Sequence, residues 1–235
     1  MDIFAHRGAR AYAPENTLSA FQKARAMHAD GIELDVQLTK DGVPVICHDH
    51  SVNRTSNGQG WLKDYTLAEI KQFDFGSWFH SDFSGETIPS LEEFLCWFAS
   101  TGMRLNIEIK NGPVIYPDIE NKVIELIKKY DLVEQAFISS FHHPSLLVVK
   151  QLCPEIKTGA LFTCRPLDPL EFCRQTKADY LHPAWESIDT LWARKAKDHG
   201  INIHVFTVNQ RDQYDFVKSM EVDAIFTDYP DIWPR

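Results

Sequence analysis

Acidic side chains suited to metal binding occur within two apolar runs of the chain. Glu33 and Asp35 alternate with apolar residues over 31–37, and Glu108 does the same within 104–109. Because the side chains of a strand alternate between its two faces, Glu33 and Asp35 would project to the same side. Carboxylates on one face repel each other and lose hydration unless a positive charge lies between them. The pattern predicts a cation site. Since no cysteine or paired histidine shares the face, it favours Mg²⁺ or Ca²⁺, with Mn²⁺ as an alternative, over Zn²⁺.

Basic side chains accompany these acids at the ends of predicted strands. His6 and Arg7 end the first apolar run, and Lys110 shares a polar face with Asn106 and Glu108. Arginine presents a planar fork to an anion, and lysine presents a compact positive charge. Three acids together with a histidine, an arginine and a lysine predict a joint site for a divalent cation and an anion.

The elements that must position these residues form an alternation of short apolar runs and longer helical patterns. Predicted strands cover 2–6, 31–37, 104–109, 136–140, 157–161, 179–182, 202–207 and 223–226. Predicted helices cover 16–28, 90–99, 117–130, 144–152, 168–175, 188–199 and 210–219. Such alternation predicts parallel strands with helical crossovers, and a chain of 235 residues suits an α/β fold of the (β/α)8 TIM-barrel type. A doubly wound open sheet is the alternative. It would place the site near one switch point, whereas polar residues here lie at the ends of most of the strands.

One stretch interrupts this alternation. Asp41-Gly42 predicts a turn and 43–47 a short strand, after which 51–89 is rich in Gly, Ser, Asn and aromatic residues. A structureless loop of about 40 residues is uncommon in a compact domain. We therefore expect 51–89 to form a small inserted subdomain that caps the barrel mouth, within a single domain spanning 1–235. A surface excursion without function is the alternative.

Composition limits the class of protein. Hydrophobic residues make up 44% and charged residues 24%, as in an ordinary soluble globular domain. The net charge of -9 argues against a general nucleic-acid surface. No apolar run reaches roughly 18 residues, so membrane insertion is not expected. The chain shows no basic and apolar leader, and its five scattered cysteines are expected to be reduced, which together predict a cytoplasmic protein.

An ordered set of short motifs resembles the glycerophosphodiester phosphodiesterase family. In chain order they are Ala5-His6-Arg7-Gly8, Pro14-Glu15-Asn16-Thr17, Glu33-Leu34-Asp35-Val36, Thr39-Lys40-Asp41-Gly42, His48-Asp49, Glu108-Ile109-Lys110, Thr207-Val208-Asn209 and Thr227-Asp228-Tyr229-Pro230. Each motif alone is weak, whereas the ordered set covers nearly the whole chain and is highly specific. The resemblance implies a TIM-barrel hydrolase that uses a divalent metal to split small-molecule glycerophosphodiesters into glycerol 3-phosphate and an alcohol.

The resemblance also implies roles for individual residues. Glu33, Asp35 and Glu108 match the metal ligands of the family, and His6 and His48 match its acid–base pair. Histidine titrates near neutrality, so either one can remove a proton from the nucleophile or deliver one to the leaving alkoxide. Which histidine performs which task stays open. So does the choice between direct attack by water and prior attack by a glycerol hydroxyl through a cyclic phosphate.

The other candidates concern the substrate pocket. Arg7 and Lys110 are expected to hold phosphate oxygens, with a structural ion pair as the alternative. Glu15 and Asn16 match a family motif, although Asn16 could equally cap a helix. Further pocket candidates, for which ordinary packing at the barrel mouth is the alternative, are Phe141, His182, Trp185 and Phe206. Many relatives carry tryptophan at the position of Phe206, which leaves the preference for the alcohol undetermined.

Two other functions fit parts of the pattern. One is another phosphoric-diester enzyme on the same barrel, such as a lysophospholipase D or a phosphoinositide-type phospholipase C. The other is a non-catalytic barrel that binds a metal or ligand, although such a protein has no need of a proton-transfer pair. For the enzyme we expect broad tolerance of the alcohol, because 51–89 holds no charge cluster that would select one headgroup. The oligomeric state is left open, with a homo-oligomer as one option.

Overall fold

Strands and helices alternate along the chain in the computed structural model, which describes residues 1–234. The strands in chain order are β1 (Asp2–His6), β2 (Gly31–Leu38), β3 (Pro44–Ile46), β4 (Arg104–Ile109), β5 (Ala136–Ser140), β6 (Lys157–Phe162), β7 (Tyr180–Pro183), β8 (Asn202–Val205) and β9 (Ala224–Thr227). The α-helices are α1 (Leu18–Ala26), α2 (Leu67–Ile70), α3 (Leu91–Phe98), α4 (Ile119–Lys129), α5 (His143–Leu152), α6 (Pro169–Thr176), α7 (Thr190–Lys197) and α8 (Arg211–Lys218). The predicted strands and helices are confirmed, with small differences at their ends, and α2 is an addition.

The parallel strands close into a barrel. β1 pairs in parallel with both β2 and β9, and the strands between them form a continuous parallel series. Only β3 runs antiparallel, alongside β2, among the strands of residues 1–234. The α/β (β/α)8 TIM-barrel prediction is thus confirmed, and pairing of β1 with β2 excludes the open sheet. The carboxyl ends of such strands meet at one face, where barrel enzymes build their sites.

The register between β1, β2 and β4 brings the acids together. His6 lies opposite Glu33, and Glu33 lies opposite Asn106 on the next strand. Further along the same two strands, Asp35 lies opposite Glu108. Because side chains alternate along each strand, these polar residues share the inner face of the barrel.

Apolar residues of the same strands hold the barrel to its helices. Ile32, Leu34 and Val36 are fully buried and pack in one cluster with Phe94 of α3 and Val123 of α4. Burying each such side chain contributes about 1.5–3 kcal/mol. The outward face of β2 therefore stabilises the fold, while its inward face carries Glu33 and Asp35.

Aromatic rings fill the barrel interior. Phe4 packs edge-on against Phe137 at 5.5 Å between centroids, and His182 lies 5.0 Å from His204 within the same interior. Neither ring nitrogen of His182 has a hydrogen-bond partner, and burial lowers its pKa well below the ordinary value. Burial likewise lowers the pKa of His204 to about 3. Both histidines are therefore neutral packing elements near neutral pH.

Residues 51–89 contain short helical turns rather than barrel elements. Besides α2, two 3₁₀ turns lie here, at Leu62–Asp64 and Ser81–Phe83. Leu62 and Ile70 pack with Val45 of β3 in an apolar cluster separate from those of the barrel. The segment thus has a small core, whereas its role as a cap over the barrel mouth stays a prediction.

Two further properties bear on the expectations drawn from composition. No helix within residues 1–234 is both long and apolar enough to cross a membrane. All five cysteines are free thiols, as expected. Burial raises the pKa of the Cys47 thiol to about 12, so this neighbour of His48 is an unreactive side chain.

Candidate active site

The site begins at a sharp turn between β1 and α1. Arg7 and Gly8 have left-handed φ angles of 56° and 81°. A Cβ atom at Gly8 would lie 2.7 Å from the backbone carbon of Ala20, so only glycine fits at this position. The turn directs the backbone N–H of Arg7 toward Glu33, whose Oε2 accepts it at 2.8 Å. The motif His6-Arg7-Gly8 thus joins the end of β1 to the acid on β2.

Three carboxylates converge at the ends of β2 and β4. Oxygen atoms of Glu33, Asp35 and Glu108 lie within 4.8 Å of one another, and all three side chains are buried. Burial and the charges of Asp35 and Glu108 raise the pKa of Glu33 well above its ordinary value. Burial also raises the pKa of Glu108, although Lys110 opposes that shift. Burial and mutual repulsion therefore disfavour the charged forms of Glu33 and Glu108.

Two basic side chains balance part of this negative charge. Nζ of Lys110 donates to Glu108 at 2.7 Å and lies 3.5 Å from Asp35, while Nε of Arg7 lies 3.4 Å from Asp35. Burial would raise the pKa of Asp35, but Lys110 and Arg7 outweigh it and hold the value well below the usual range. Their acidic neighbours in turn raise the pKa of both cations despite burial, so both stay charged.

The donor set of the cluster fits a hard divalent cation. Oδ1 of Asp35 is buried and accepts no hydrogen bond, although Nζ of Lys110 lies 3.5 Å from it. Its other oxygen accepts a hydrogen bond from the amide of Asn16 at 2.9 Å, which fixes the orientation of the carboxylate. Carboxylate oxygens are the ligands preferred by Mg²⁺ and Ca²⁺. Glu33, Asp35 and Glu108 could therefore hold such an ion together.

His6 belongs to a hydrogen-bonded chain that runs through Asp228, directly after β9, to Asn209 in the loop after β8. Its Nδ1 lies 2.7 Å from Oδ1 of Asp228, whose other oxygen accepts from the amide of Asn209 at 2.9 Å. Burial opposes ionisation of Asp228, but His6 and Arg10 lower its pKa, so the carboxylate only accepts. Nδ1 must then carry the proton, and Nε2 is left as the acceptor of neutral His6. Burial, together with the charge of Arg7, lowers the pKa of His6 and favours this neutral form.

His48 is held by a different network at the rim of the site. Its Nδ1 lies 2.6 Å from Asp49, which also accepts from Arg54 at 2.7 Å. Arg54 reaches on to Glu15 at 2.7 Å, and Glu15 accepts in addition from Arg7 at 2.8 Å. Burial would raise the pKa of Glu15, but these arginines lower it to about 2. Glu15 therefore positions two arginines and is not free to transfer protons.

A cavity of about 200 Å³ connects these groups. Its polar wall holds both histidines, Arg7, two of the acids and Asn106, and its apolar wall comprises Phe141, Leu161, Phe206, Thr207 and Phe226. The Phe141 and Phe206 rings meet edge-on at 5.8 Å between centroids. The volume and the division into a charged and an apolar side suit a small ligand with an anionic end.

The structure places the predicted site residues unequally. His6, His48, Arg7 and the three acids converge as described, and the remaining predicted residues on the cavity wall are Phe141 and Phe206. Lys110, Glu15 and Asn16 lie behind the wall and hold its charged groups. His182 is fully buried in the barrel interior, and the Trp185 ring packs against Phe216, so neither is brought to this wall.

Several residues of the site were missed by sequence reasoning. Asn106 shares the face of Glu108 in the sequence pattern, but only the structure shows that it lies opposite Glu33 and that its Oδ1 has no hydrogen-bond partner. Asp228 and Asn209 occur in the quoted C-terminal motifs, but the hydrogen bond from Asp228 to His6 joins residues 222 positions apart, and Asn209 takes part only through Asp228. Arg54 lies in the stretch after β3, where the sequence shows no pattern that would single it out.

The geometry can be compared with known proteins. The sequence matches the model of the glycerophosphoryl diester phosphodiesterase family over residues 6–232. A glycerophosphodiester phosphodiesterase from Caldanaerobacter subterraneus subsp. tengcongensis is 43% identical over 229 residues, which are 97% of this chain and 94% of the relative. Another from Bacillus altitudinis is 40% identical over 97% of this chain and 95% of its own length.

A solved structure is similar over almost the whole fold. A phosphodiesterase from Oleispira antarctica, determined in complex with the product sn-glycerol-3-phosphate, superposes with a TM-score of 0.91 at 33% identity. The similarity covers 98% of this chain and 94% of that one. The barrel and the chain topology are thus shared with an enzyme crystallised with its product.

Proposed function

Because this chain belongs to the glycerophosphoryl diester phosphodiesterase family, we propose that it hydrolyses small glycerophosphodiesters to sn-glycerol 3-phosphate and an alcohol with the help of a divalent metal. The observation that carries the proposal is that one small cavity is lined by Glu33, Glu108, Arg7 and two histidines, with Asp35 completing the acid cluster behind its wall. A binding protein would need no such pair of titratable groups. The product found in the Oleispira antarctica relative supports the choice of product.

The metal would be held by Glu33, Asp35 and Glu108. A divalent cation there would offset the negative charge of the phosphate and of the three acids. Arg7 lines the cavity and would donate from its guanidinium to a phosphate oxygen. Lys110 would supply a second positive charge near the same oxygens. The charged side of the cavity thus takes the phosphate.

His6 would act as the general base. Its Nδ1 is occupied by Asp228, so Nε2 is the atom that takes the proton of the attacking hydroxyl, whether this belongs to water or to the glycerol 2-hydroxyl. Burial, which lowers its pKa, keeps Nε2 unprotonated at neutral pH. The Asp228 carboxylate would then stabilise the imidazolium that forms.

His48 would act as the general acid. Its side chain is 32% exposed and lines both the catalytic cavity and a second cavity beside it, so it lies where a leaving alcohol can depart. As the new P–O bond forms, the P–O bond to the alcohol breaks and its electron pair goes to the alkoxide. His48 would deliver a proton to that oxygen. If the glycerol hydroxyl attacks first, water would open the cyclic phosphate in a second step.

The identity of the products tests the proposal. The purified protein, supplied with Mg²⁺ or Ca²⁺, should convert glycerophosphocholine to glycerol 3-phosphate and choline, as followed by phosphorus NMR. Release of phosphocholine would mean that the wrong P–O bond is cleaved and would contradict the proposal. Faster turnover of lysophosphatidylcholine than of glycerophosphocholine would identify a lysophospholipase D instead.

A further inference from the structure

A second cavity adjoins the catalytic one on the outer side of His48. Its volume is about 390 Å³, and His48 contributes to the walls of both cavities. Lys110, which bonds the acid Glu108, lies in its wall as well. The remainder of the wall comes from Gly112 after β4 and from residues around Trp61. A ligand with its phosphate in the catalytic cavity and its leaving oxygen at His48 would direct the rest of the alcohol toward this second cavity.

Trp61 is presented to this cavity by an ordered backbone. Its backbone bridges to Ser51, and the next residue, Leu62, donates its N–H to the carbonyl of His50 at 2.8 Å. Nε2 of His50 donates to the carbonyl of Gly112 at 3.1 Å, which fixes the His50 ring next to the indole. Trp61 nevertheless remains 46% exposed. The indole is therefore held in place while part of its surface lines the second cavity.

The charged groups in the wall of the second cavity are already paired. Asp49 accepts from both His48 and Arg54, and Lys110 donates to Glu108. A cationic headgroup therefore meets no unpaired acid in this wall. The face of the Trp61 indole is the remaining feature that distinguishes a cation from a neutral group, because tryptophan attracts cations most strongly of the aromatic side chains.

We propose that the second cavity binds the alcohol half of the substrate and that the Trp61 face contacts the cationic head of an amino alcohol such as choline. The inference rests on the proposed function, since the diester places the alcohol next to a phosphate held by Arg7 and Lys110. A cation–π contact at an exposed site favours a cation only about two- to five-fold over a neutral group. The enzyme should accordingly accept many alcohols and prefer the cationic ones modestly.

The test compares two substrates that differ only in charge. Glycerophosphocholine carries a trimethylammonium group, and its 3,3-dimethylbutyl analogue carries an uncharged tert-butyl group of nearly the same shape. The wild-type kcat/KM should favour glycerophosphocholine by about two- to five-fold. Trp61→Leu should bring this ratio close to one, because it should lower kcat/KM for glycerophosphocholine more than for the neutral analogue. Trp61→Phe, which keeps an aromatic ring, should give an intermediate ratio and serves if the leucine variant folds poorly.

A matched control is available within the same segment. Trp78 is 39% exposed but lies outside both cavities, so Trp78→Leu should leave the substrate ratio unchanged. A wild-type ratio near one, or a ratio that Trp61→Leu does not alter, would overturn the inference while leaving the proposed function intact. Failure of the wild-type protein to hydrolyse either diester would instead overturn the proposed function, and this inference with it.

Discussion

The two histidines of the site differ in the groups that hold them. His6 is mostly buried, and its Nδ1 donates to Asp228, which leaves one acceptor nitrogen facing the cavity. His48 is more exposed and is held by Asp49 at the boundary between two cavities. The same residue type therefore occupies two environments that suit removal and delivery of a proton, respectively.

The first prediction separates these roles by the acidity of the leaving group. His6→Ala and His48→Ala should each lower kcat on glycerophosphocholine by about 10²–10⁴-fold, as expected for a positioned acid or base. A glycerophosphodiester of p-nitrophenol needs no proton on its leaving oxygen. On this substrate His48→Ala should regain most of its activity, whereas His6→Ala should not.

Exposed His199 provides a control for these variants. It lies at the end of α7, outside the catalytic cavity, so His199→Ala should match the wild-type enzyme on both substrates. Rescue of His6→Ala instead of His48→Ala would reverse the assignment. Full activity of both variants would mean that the pair is structural.

At the scale of elements, the start of α1 separates a structural role from a functional one. Thr17, not Asn16, is the N-cap, since its side chain accepts the N–H of Ala20. The amide of Asn16 instead donates to Asp35 across the loop. The helix-cap role considered for Asn16 is thus wrong, and the residue supports the acid cluster.

The second prediction follows from this division. Thr17→Ala should lower the free energy of unfolding by about 1 kcal/mol through loss of the cap. Its kcat/KM per folded molecule should change little. Asn16→Ala should keep the cap but lower activity or metal affinity by about 10–100-fold, the usual effect of losing a group that orients a metal ligand. Denaturant unfolding and steady-state kinetics on both variants measure the two effects, and equal kinetic losses would contradict the division.

Elements and faces were largely predictable from the sequence because both depend on local pattern. Alternation in 31–37 and 104–109 placed Glu33, Asp35 and Glu108 on inward faces before any pairing was known. The pattern could not give the register that sets Asp35 opposite Glu108, or the closure of β1 on β9 that brings Asp228 to His6. Such contacts join distant parts of the chain, and the spacing of residues along the sequence does not encode them.

The predicted pocket rings at strand ends also depend on contacts that the sequence pattern does not give. Phe141 and Phe206 line the cavity, whereas His182, predicted from a similar position at the end of a strand, is buried in the barrel interior. Whether a polar ring at a strand end faces the cavity or the core depends on the residues stacked around it. That information belongs to the packed barrel.

At the scale of the whole molecule, the buried histidines make stability depend on pH. Burial lowers the pKa of His204 to about 3 and that of His182 well below its ordinary value. In the unfolded chain both would titrate near pH 6.5. Below that pH the unfolded state binds more protons than the native state, so stability falls as pH falls.

The third prediction puts a magnitude on this effect. Lowering the pH from 7 to 5 should cost about 2 kcal/mol of unfolding free energy for each of the two histidines. His204→Phe keeps an aromatic ring without a titrating group, so its stability should fall less steeply over the same range. Denaturant unfolding of both proteins at several pH values measures the difference in slope. The carboxylates are the same in both proteins, so their contribution cancels from this difference. Parallel curves would show that His204 is protonated in the folded barrel.

The fourth prediction concerns the acid cluster and the metal. Removal of metal by a chelator should abolish release of glycerol 3-phosphate, and Mg²⁺, Mn²⁺ or Ca²⁺ should restore it. Because a ligand that binds only the native state stabilises it, the same ions should also raise the Tm. Glu33→Ala and Asp35→Ala should lose both responses. Glu125→Ala, which changes an acid on α4 that bonds Asn121 at the surface, should keep them.

The most direct measurement is therefore the release of glycerol 3-phosphate from glycerophosphocholine by chelator-treated wild-type protein during a metal titration. We predict no turnover without metal and a saturable rise in turnover as a divalent ion is added. Undiminished turnover by the metal-free protein would contradict the assignment of Glu33, Asp35 and Glu108 as a catalytic metal site.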